Sequence, residues 1–310
     1  MKVLVTGGAG FIGSHIVDAL LDSHYEVVVV DNLVTGHIKN IHPSVRFYQL
    51  DVRRDLDDLF GKEKPDYVIH QAGQVSVSQS LIDPLYDCEE NIIGTLSILQ
   101  ACVRHHVKKM VFASTAAIYG NPVYLPVDEG HPLHPISFYG LTKWHAEKCI
   151  QLFSEAHQLD YTILRYANVY GPRQDARGEA GAIAIFIEKV IKGERPVLFG
   201  DGKQTRDFVY VKDVARANVA ALTNGNQEIL NVGTGQESSL EEVIGQLGEI
   251  SGKNIQPILS PERAGDIRSS VLNNERLQLK LNRFPFYSLK DGLVETVKFY
   301  EQEFLTGLRG

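Results

Sequence analysis

Tyr139 and Lys143 lie four residues apart at the start of a segment, residues 137–157, whose composition predicts a helix. Residues at this spacing share one helix face, one turn apart. A phenol has an unperturbed pKa of ~10, so a general base near neutral pH needs that pKa lowered by ~3 units, or ~4 kcal/mol. One ammonium ~5 Å away contributes ~3 kcal/mol at an effective dielectric of ~20. The pair therefore predicts proton abstraction by Tyr139, provided that a second positive charge lies nearby.

A bare Tyr-x-x-x-Lys spacing is also typical of a solvated helix face, so a second chemical signal is needed. A strand-like run ends at Thr6 and is followed by the sequence GGAGFIG and a helical run. Gly7, Gly10 and Gly13 have the spacing that allows a tight turn, a close approach to a pyrophosphate and close helix–strand packing. The helix N-terminus offers N–H groups and a positive dipole end to phosphates. This stretch predicts a dinucleotide site.

An acidic residue, Asp31, ends the apolar run Val27–Val30. A carboxylate at this place in a dinucleotide site binds the hydroxyls of the adenosine ribose. A 2′-phosphate would meet this negative charge, and neither Asn32 nor Leu33 brings a cation to offset it. We therefore predict NAD rather than NADP as the cofactor. Its oxidised nicotinamide carries the second positive charge that Tyr139 needs.

Strand-like and helical runs alternate through the first half of the chain. Apolar runs end at Asp51-Val52, at Gln71-Ala72-Gly73 and at Ser114-Thr115, and a helical pattern spans about Leu85 to His105. This alternation predicts an α/β fold with a Rossmann-type, doubly wound parallel sheet. Ligands bind beyond the carboxyl ends of the strands in such sheets. Thr115 and Tyr139 are therefore expected to converge on one crevice.

The chain has 310 residues, enough for two lobes. We expect residues 1–170 to form the NAD-binding domain, with a later segment, about 203–235, returning to it. Residues 171–310 would form mainly a smaller α/β substrate lobe. In that lobe we predict a helix over 182–192, a hairpin around Gly200–Gly202 and a closing helix over 295–304.

Composition narrows the classes of function. A net charge of -7 argues against a protein that binds nucleic-acid backbones. No apolar run approaches the ~20 residues that span a bilayer, and no signal segment precedes the first strand. The three cysteines, Cys88, Cys102 and Cys149, form no C-x-x-C pair, so we expect a reducing, cytoplasmic compartment. We predict no metal ligands.

In combination, these motifs resemble the extended short-chain dehydrogenase/reductase family. The resemblance spans essentially the whole chain and rests on T-G-x-x-G-x-x-G at residues 6–13, Asp31-Asn32, Ala72-Gly73, Ser114-Thr115, Tyr139-x-x-x-Lys143, Leu164-Arg-Tyr-Ala-Asn168 and Asn231-Val-Gly-Thr-Gly235. Within the family, the chain looks most like the nucleotide-sugar 4-epimerases that interconvert UDP-glucose and UDP-galactose. This implies oxidation of the sugar at C4 with NAD, rotation of the 4-keto sugar in its pocket, and reduction on the opposite face.

The resemblance also implies a set of site residues. Catalysis is implied for Thr115, Tyr139 and Lys143. Cofactor contacts are implied for Gly7, Gly10, Phe11, Ile12, Gly13, Asp31, Asn32, Asp51, Val52, Gln71, Ala72, Gly73, Asn91, Ser114, Tyr139, Lys143 and Tyr166. Substrate contacts are implied for Thr115, Tyr139, Asn168, Arg206, Arg263, Asp266 and Ser270, with the two arginines on the diphosphate and Asp266 on the nucleoside ribose.

Substrate and reaction alternatives stay open. The sugar 4,6-dehydratases of the family carry acids just after the catalytic Thr, whereas Ala116 and Ala117 stand here, so water elimination lacks its proton carriers. A UDP-glucuronate 4-epimerase is not excluded by any residue.

Ser270 replaces a bulky Tyr that restricts some family members to plain hexoses, which implies room for the N-acetyl group of UDP-GlcNAc and UDP-GalNAc. The stretch Gln74–Val77 stands where well-studied epimerases often carry a Lys near the nicotinamide.

Family members commonly dimerise through a four-helix bundle. The corresponding helices here are Leu85–His105 and Ser137–His157, and both carry enough apolar residues for such packing. We therefore expect a homodimer that takes a UDP-sugar and has neither a nucleic acid nor a membrane as a partner.

Overall fold

The computed structural model describes residues 1–176, 181–262 and 267–307. Its strands are β1 (Lys2–Thr6), β2 (Glu26–Asp31), β3 (Arg46–Gln49), β4 (Tyr67–His70), β5 (Lys109–Thr115), β6 (Asp160–Tyr166), β7 (Asn168–Tyr170), β8 (Val197–Phe199), β9 (Thr205–Arg206), β10 (Phe208–Tyr210), β11 (Glu228–Val232), β12 (Ser238–Ser239) and β13 (Ile258–Ser260). Its helices are α1 (Phe11–Asp22), α2 (Asp57–Glu63), α3 (Val77–Ile82), α4 (Pro84–Cys88), α5 (Gly94–Arg104), α6 (Phe138–His157), α7 (Ala182–Ile191), α8 (Val211–Ala221), α9 (Leu240–Ser251), α10 (Glu275–Lys280) and α11 (Leu289–Gly307). A π-helical turn, Glu89–Ile93, joins α4 to α5, and a 3₁₀ turn, Ala116–Ile118, follows β5.

A parallel sheet of seven strands has the order β3-β2-β1-β4-β5-β6-β11. The order changes direction between β1 and β4, which opens a crevice at the carboxyl ends of these strands. The predicted α/β fold with a doubly wound parallel sheet is confirmed.

Side chains of β1 alternate between the two faces of this sheet. Val3 and Val5 pack with α1 and α8 on one face, whereas Leu4 packs with α2 and α5 on the other. All three side chains are fully buried. A strand covered on both faces has a continuous apolar run, which is why Val3–Val5 of β1 and Val27–Val30 of β2 are apolar without interruption.

The second half of the chain divides between two cores. α8 packs on α1, and β11 extends the large sheet beside β6. α7, α9 and α11 enclose a separate apolar core around Phe186, Leu247 and Leu293. Leu277 of α10 lies in the core of the large sheet rather than in the second core. The division of the chain at residue 170 stays a prediction.

The helices predicted over 182–192 and 295–304 are present as α7 and α11. The predicted hairpin around Gly200 and Gly202 is wrong. Both glycines have φ of +74° and turn the chain, but β8 pairs in parallel with β13, and β9 pairs antiparallel with β12. The turn signal is local, whereas strand pairing depends on segments that are distant in the sequence.

Within the described parts of the chain, no helix combines the length and the apolar composition that crossing a bilayer would require.

Candidate active site

A cleft of about 1290 Å³ lies at the carboxyl ends of the sheet strands and extends to α7 and β8. Its lining includes most of the residues that the sequence predicts: Gly7, Gly10, Phe11, Ile12, Gly13, Asp31, Asn32, Val52, Gln71, Ala72, Gly73, Ser114, Thr115, Tyr139, Lys143, Tyr166, Asn168 and Arg206. Asp51, Asn91 and Ser270 are not part of the lining. Arg263 and Asp266 lie outside the described residues.

The glycine turn after β1 brings backbone atoms too close together for side chains. Gly7 has φ of +68°, and a Cβ on Gly13 would lie 2.1 Å from the carbonyl oxygen of Gly7. α1 begins at Phe11, and no side chain caps its first turn. The N–H groups of that turn are thus available to an anion. This geometry fits the pyrophosphate of a dinucleotide.

Asp31 is buried at the end of β2, and it borders the cleft. Its Oδ2 accepts the N–H of Ala9 at 3.0 Å, and its Oδ1 accepts the N–H of Leu33 at 2.8 Å. A carboxylate has further lone pairs, which remain for ribose hydroxyls. The fixed negative charge fits NAD and opposes a 2′-phosphate.

Asp51 is engaged by Arg53, which the sequence interpretation missed. Arg53 donates through Nη2 to Asp51 Oδ2 at 2.6 Å and through its backbone N–H to Oδ1 at 2.9 Å. These bonds to Arg53 hold the pKa of Asp51 below its usual value. The neighbours Leu50 and Val52 line the cleft instead, so a direct cofactor contact of Asp51 stays a prediction.

Tyr139 lies in the first turn of α6, which is capped by Ser137 through a 3.2 Å bond from the N–H of Gly140. Burial raises the pKa of Tyr139 to about 12, and a hydrogen bond with the Thr115 side chain opposes this effect. With its pKa raised in this way, the phenol needs further stabilisation of its ionised form. The expectation that Lys143 acts together with a second positive charge stays a prediction.

Lys143 is buried one turn further along α6. Its Nζ donates to the carbonyl oxygen of Ala113 at 3.2 Å and lies 5.0 Å from the centre of the Phe112 ring. Burial lowers the pKa of Lys143 to about 8, and the charge of Asp87 opposes this shift. The ammonium is thus held at the cleft by few protein contacts, which fits a group that binds the nicotinamide ribose.

Two other predicted cofactor residues, Ser114 and Tyr166, form hydrogen bonds with neighbouring side chains. Ser114 donates to Glu147, which forms a buried ion pair with Arg165 at 2.7 Å. The hydroxyl of Tyr166 accepts Nε2 of Gln71 at 3.0 Å. These bonds fix the floor of the cleft at the ends of β4, β5 and β6.

A chain of buried hydrogen bonds, missed by the sequence interpretation, runs from Thr6 to Asn91. Thr6 Oγ1 lies 2.6 Å from His70 Nδ1, and His70 Nε2 lies 3.2 Å from Thr95 Oγ1. Thr95 donates its hydrogen to the carbonyl oxygen of Asn91 at 2.6 Å, so His70 donates through Nε2 and accepts at Nδ1. Burial, aided by the charge of Lys143, lowers the pKa of His70 to about 3. In the sequence, the feature that could have indicated this chain of hydrogen bonds is His70 itself, a polar residue at the end of an apolar strand.

The second half of the chain contributes a further part of the cleft lining, which includes two of the residues predicted to contact substrate. Asn168 and Arg206 line the cleft, and Arg206 donates through Nη1 to the carbonyl oxygen of Ile267 at 2.6 Å. Ser270 is half-buried. It lies two residues after Arg268, whose carbonyl oxygen accepts a hydrogen bond from the N–H of Thr205 in β9. Further lining residues that the motifs did not indicate are Arg173, Gln174, Lys189, Phe199, Gln204 and Phe208.

Comparison with known proteins decides the family. The model of the NAD dependent epimerase/dehydratase family matches residues 3–233. The chain belongs to this family. The UDP-glucose 4-epimerase of Mycolicibacterium smegmatis is 38% identical over 98% of this chain and 99% of that one, so within the family the chain is an NAD-dependent epimerase. The resemblance to the extended short-chain dehydrogenases/reductases is confirmed.

Three solved structures of this epimerase family illustrate the range of substrates. The chain is 44% identical to the UDP-glucose 4-epimerase of Thermotoga maritima, solved with UDP-glucose, over 98% of this chain and 100% of that one, with a TM-score of 0.96. It is 36% identical to the UDP-N-acetylglucosamine 4-epimerase of Methanobrevibacter ruminantium, over 97% and 98%, with a TM-score of 0.93. It is 32% identical to the UDP-glucuronic acid 4-epimerase of Bacillus cereus, solved with NAD, over 98% and 100%, with a TM-score of 0.89.

Proposed function

We propose that this epimerase interconverts UDP-glucose and UDP-galactose. The observation that carries the proposal is that Thr115, Tyr139 and Lys143 line the same cleft as the glycine turn and Asp31. The similarity to the Thermotoga maritima enzyme supports the same choice of substrate.

Tyr139 would take the proton from the sugar O4, directly or through Thr115, and return it in the second half of the reaction. Lys143 would hold the nicotinamide ribose and favour the ionised phenol. Bound NAD would supply the oxidation at C4 and the reduction on the opposite face. Asn168 and Arg206 would anchor the nucleotide while the 4-keto sugar rotates, and guanidinium groups suit a diphosphate. Arg263 and Asp266 stay predicted contacts.

A dehydratase has less support. Ala116 and Ala117 form the 3₁₀ turn after Thr115, and neither lines the cleft. Methyl groups cannot move protons, so loss of water from C5 and C6 has no acid or base at this place.

The range of accepted sugars is a finer question. The similarity to a UDP-N-acetylglucosamine 4-epimerase and the small side chain of Ser270 support turnover of UDP-GlcNAc and UDP-GalNAc. The similarity to a UDP-glucuronic acid 4-epimerase keeps uronic sugars as the second candidate.

A homodimer and a cytoplasmic location stay predictions. The helices expected at the dimer contact expose the apolar side chains of Leu85, Ile93 and Leu152, which are 77%, 48% and 65% exposed. Burying such side chains against a second copy is the apolar gain that a four-helix bundle requires.

The test is incubation of the purified protein with UDP-galactose, UDP-GalNAc and UDP-glucuronate in separate reactions, with products resolved by chromatography. Conversion of UDP-galactose to UDP-glucose supports the proposal, and Tyr139→Phe serves as the inactive control. Formation of a 4-keto-6-deoxy sugar would overturn it in favour of a dehydratase. Conversion of UDP-glucuronate alone would move the function to the second candidate.

A further inference from the structure

Asp87, in α4, is a fully buried carboxylate that accepts a hydrogen bond from Thr142, the residue before Lys143. Its Oδ1 accepts hydrogen bonds from Nε2 of Gln74 at 2.6 Å and from Nδ2 of Asn91 at 3.3 Å. Its Oδ2 accepts the hydroxyl of Thr142 at 2.5 Å. Three donors and no competing acceptor suit an ionised carboxylate, since burial of a charge requires such partners.

These contacts join the three segments that surround Lys143. Gln74 follows β4 and lines the cleft, Asn91 lies in the π-helical turn, and Thr142 precedes Lys143 in α6. The side chain of Gln74 thus anchors Asp87 through a direct hydrogen bond.

The network also fixes the orientation of the Asn91 amide. Its Nδ2 donates to the carbonyl oxygen of Gln74 at 3.1 Å as well as to Asp87, so Oδ1 must point the other way. Among the described residues, Oδ1 is buried and has no hydrogen-bond partner. A Cβ built on Gly73 would lie 2.5 Å from this Oδ1 and 3.2 Å from Nζ of Lys143. The Asn91 carbonyl and the ammonium thus face the same small space.

We propose that Asp87 is a positioning residue of this epimerase, which acts as the buried counter-charge of Lys143 and holds Asn91 and Thr142 in place around the Tyr139–Lys143 pair. The proposal rests on the proposed function. Asp87 touches neither cofactor nor substrate space, because it is absent from the cleft lining.

Electrostatics support this role. The charge of Asp87 raises the pKa of Lys143 against burial, and it adds to the effect of burial in raising that of Tyr139. The titratable groups that face these three residues are His70 of β4, Tyr166 of β6 and Cys88 of α4. Neutralising Asp87 should lower the pKa values of both Lys143 and Tyr139.

Asp87→Asn is a near-isosteric test. The new Oδ1 can still accept from Gln74 and Asn91, and the new amide can donate to Thr142 Oγ1. Thr142 can then donate to the carbonyl oxygen of Tyr139, which lies 3.2 Å away. A matched control is Asp213→Asn, which neutralises another fully buried carboxylate, one that pairs with Arg216 on α8 and is absent from the cleft lining.

Two measurements distinguish positioning from general destabilisation. In protein carrying carbon-labelled tyrosine, with Tyr139→Phe for assignment, the Tyr139 Cζ titration of Asp87→Asn should move to lower pH by about half a unit or more. The acid limb of the kcat profile for UDP-galactose should move in the same direction, with KM within about threefold of wild type. Asp213→Asn should leave both pH dependences unchanged.

An Asp87→Asn protein with wild-type titration and pH profile would overturn the proposal. If wild-type protein shows no epimerase activity, the proposed function fails, whereas the tyrosine titration still decides the role of Asp87 toward Tyr139. Should Asp87→Asn fail to fold, Thr142→Val and Thr142→Ser replace it. Loss of at least about tenfold in kcat in the valine variant, restored by serine, is expected, and wild-type kcat in the valine variant would also overturn the proposal.

Discussion

The side chain of Thr115, at the end of β5, hydrogen-bonds the phenol of Tyr139, in the first turn of α6. Thr115 Oγ1 accepts a hydrogen bond from the N–H of Ala117 at 3.1 Å, and its own hydrogen remains for donation to Tyr139. Donation to the phenol oxygen favours the ionised form, because the negative charge gains a partner. The bond lowers the pKa of Tyr139 against the larger, opposite effect of burial.

Thr115→Val should therefore raise the pKa of Tyr139 and lower kcat by about 10- to 100-fold, a range typical of the loss of assistance to a general base. The raised pKa of Tyr139 should displace the acid limb of the pH profile of kcat to higher pH. NAD affinity should stay near wild type. Thr115→Ser keeps the hydroxyl and should keep most of the activity, and a valine variant with the wild-type profile would contradict the assigned role.

Ser270→Tyr tests the predicted size gate. Ser270 is half-buried, and the backbone on either side of it is held by hydrogen bonds. The N–H of Thr205 donates to the carbonyl oxygen of Arg268 at 2.9 Å, and the N–H of Val127 donates to the carbonyl oxygen of Val271 at 2.8 Å. A bulky ring should reduce kcat/KM for UDP-GalNAc at least about tenfold more than for UDP-galactose, since an unaccommodated group costs about 1–3 kcal/mol. The neighbouring Ser269→Tyr serves as the control. Equal losses for both sugars would remove Ser270 from the gate.

Local patterns were enough to predict that Tyr139, Lys143 and the glycine turn lie at one cleft. The spacing of Tyr139 and Lys143 and the glycines after β1 act through residues a few positions apart, and Asp31 is positioned by the strand that precedes it. The cleft gathers all of these because parallel strands end at one edge of a sheet.

Contacts between distant segments could not be predicted in the same way. Asp87 meets Thr142, 55 residues later, only after α4 and α6 have packed together. The raised pKa of Tyr139 has a similar origin, since the spacing to Lys143 says nothing about how deeply the phenol is buried. The absent hairpin at Gly200 shows that a turn signal does not choose the strand partner.

His70 should make folding stability depend on pH. The pKa of His70 is about 3 in the folded protein, whereas its ordinary value, expected in the unfolded chain, is 6.5. Between these two pH values the unfolded chain therefore binds more protons than the folded protein. The stabilisation is complete above about pH 6.5 and is lost as the pH falls toward about 3. His70→Asn, which keeps an acceptor for Thr6, should be less stable at neutral pH but should show a shallower fall in acid. Urea unfolding at a series of pH values measures both, and equal slopes for the two proteins would contradict the prediction.

Gly73 and Gly245 provide a matched pair of glycine substitutions. A Cβ on Gly73 would lie 2.5 Å from Asn91 Oδ1 and 3.2 Å from Lys143 Nζ, whereas a Cβ on Gly245, in the middle of α9, meets nothing within 4 Å. Gly73→Ala must therefore displace the Asn91 amide or the ammonium, and kcat should fall at least about tenfold, because displacements of about 1 Å near reacting groups have effects of that size or greater. Gly245→Ala should leave kcat unchanged and increase the free energy of unfolding by roughly 0.5–1 kcal/mol. Steady-state kinetics and urea unfolding of both variants test this, and wild-type kcat in Gly73→Ala would show that Asn91 and Lys143 need not hold their positions for catalysis.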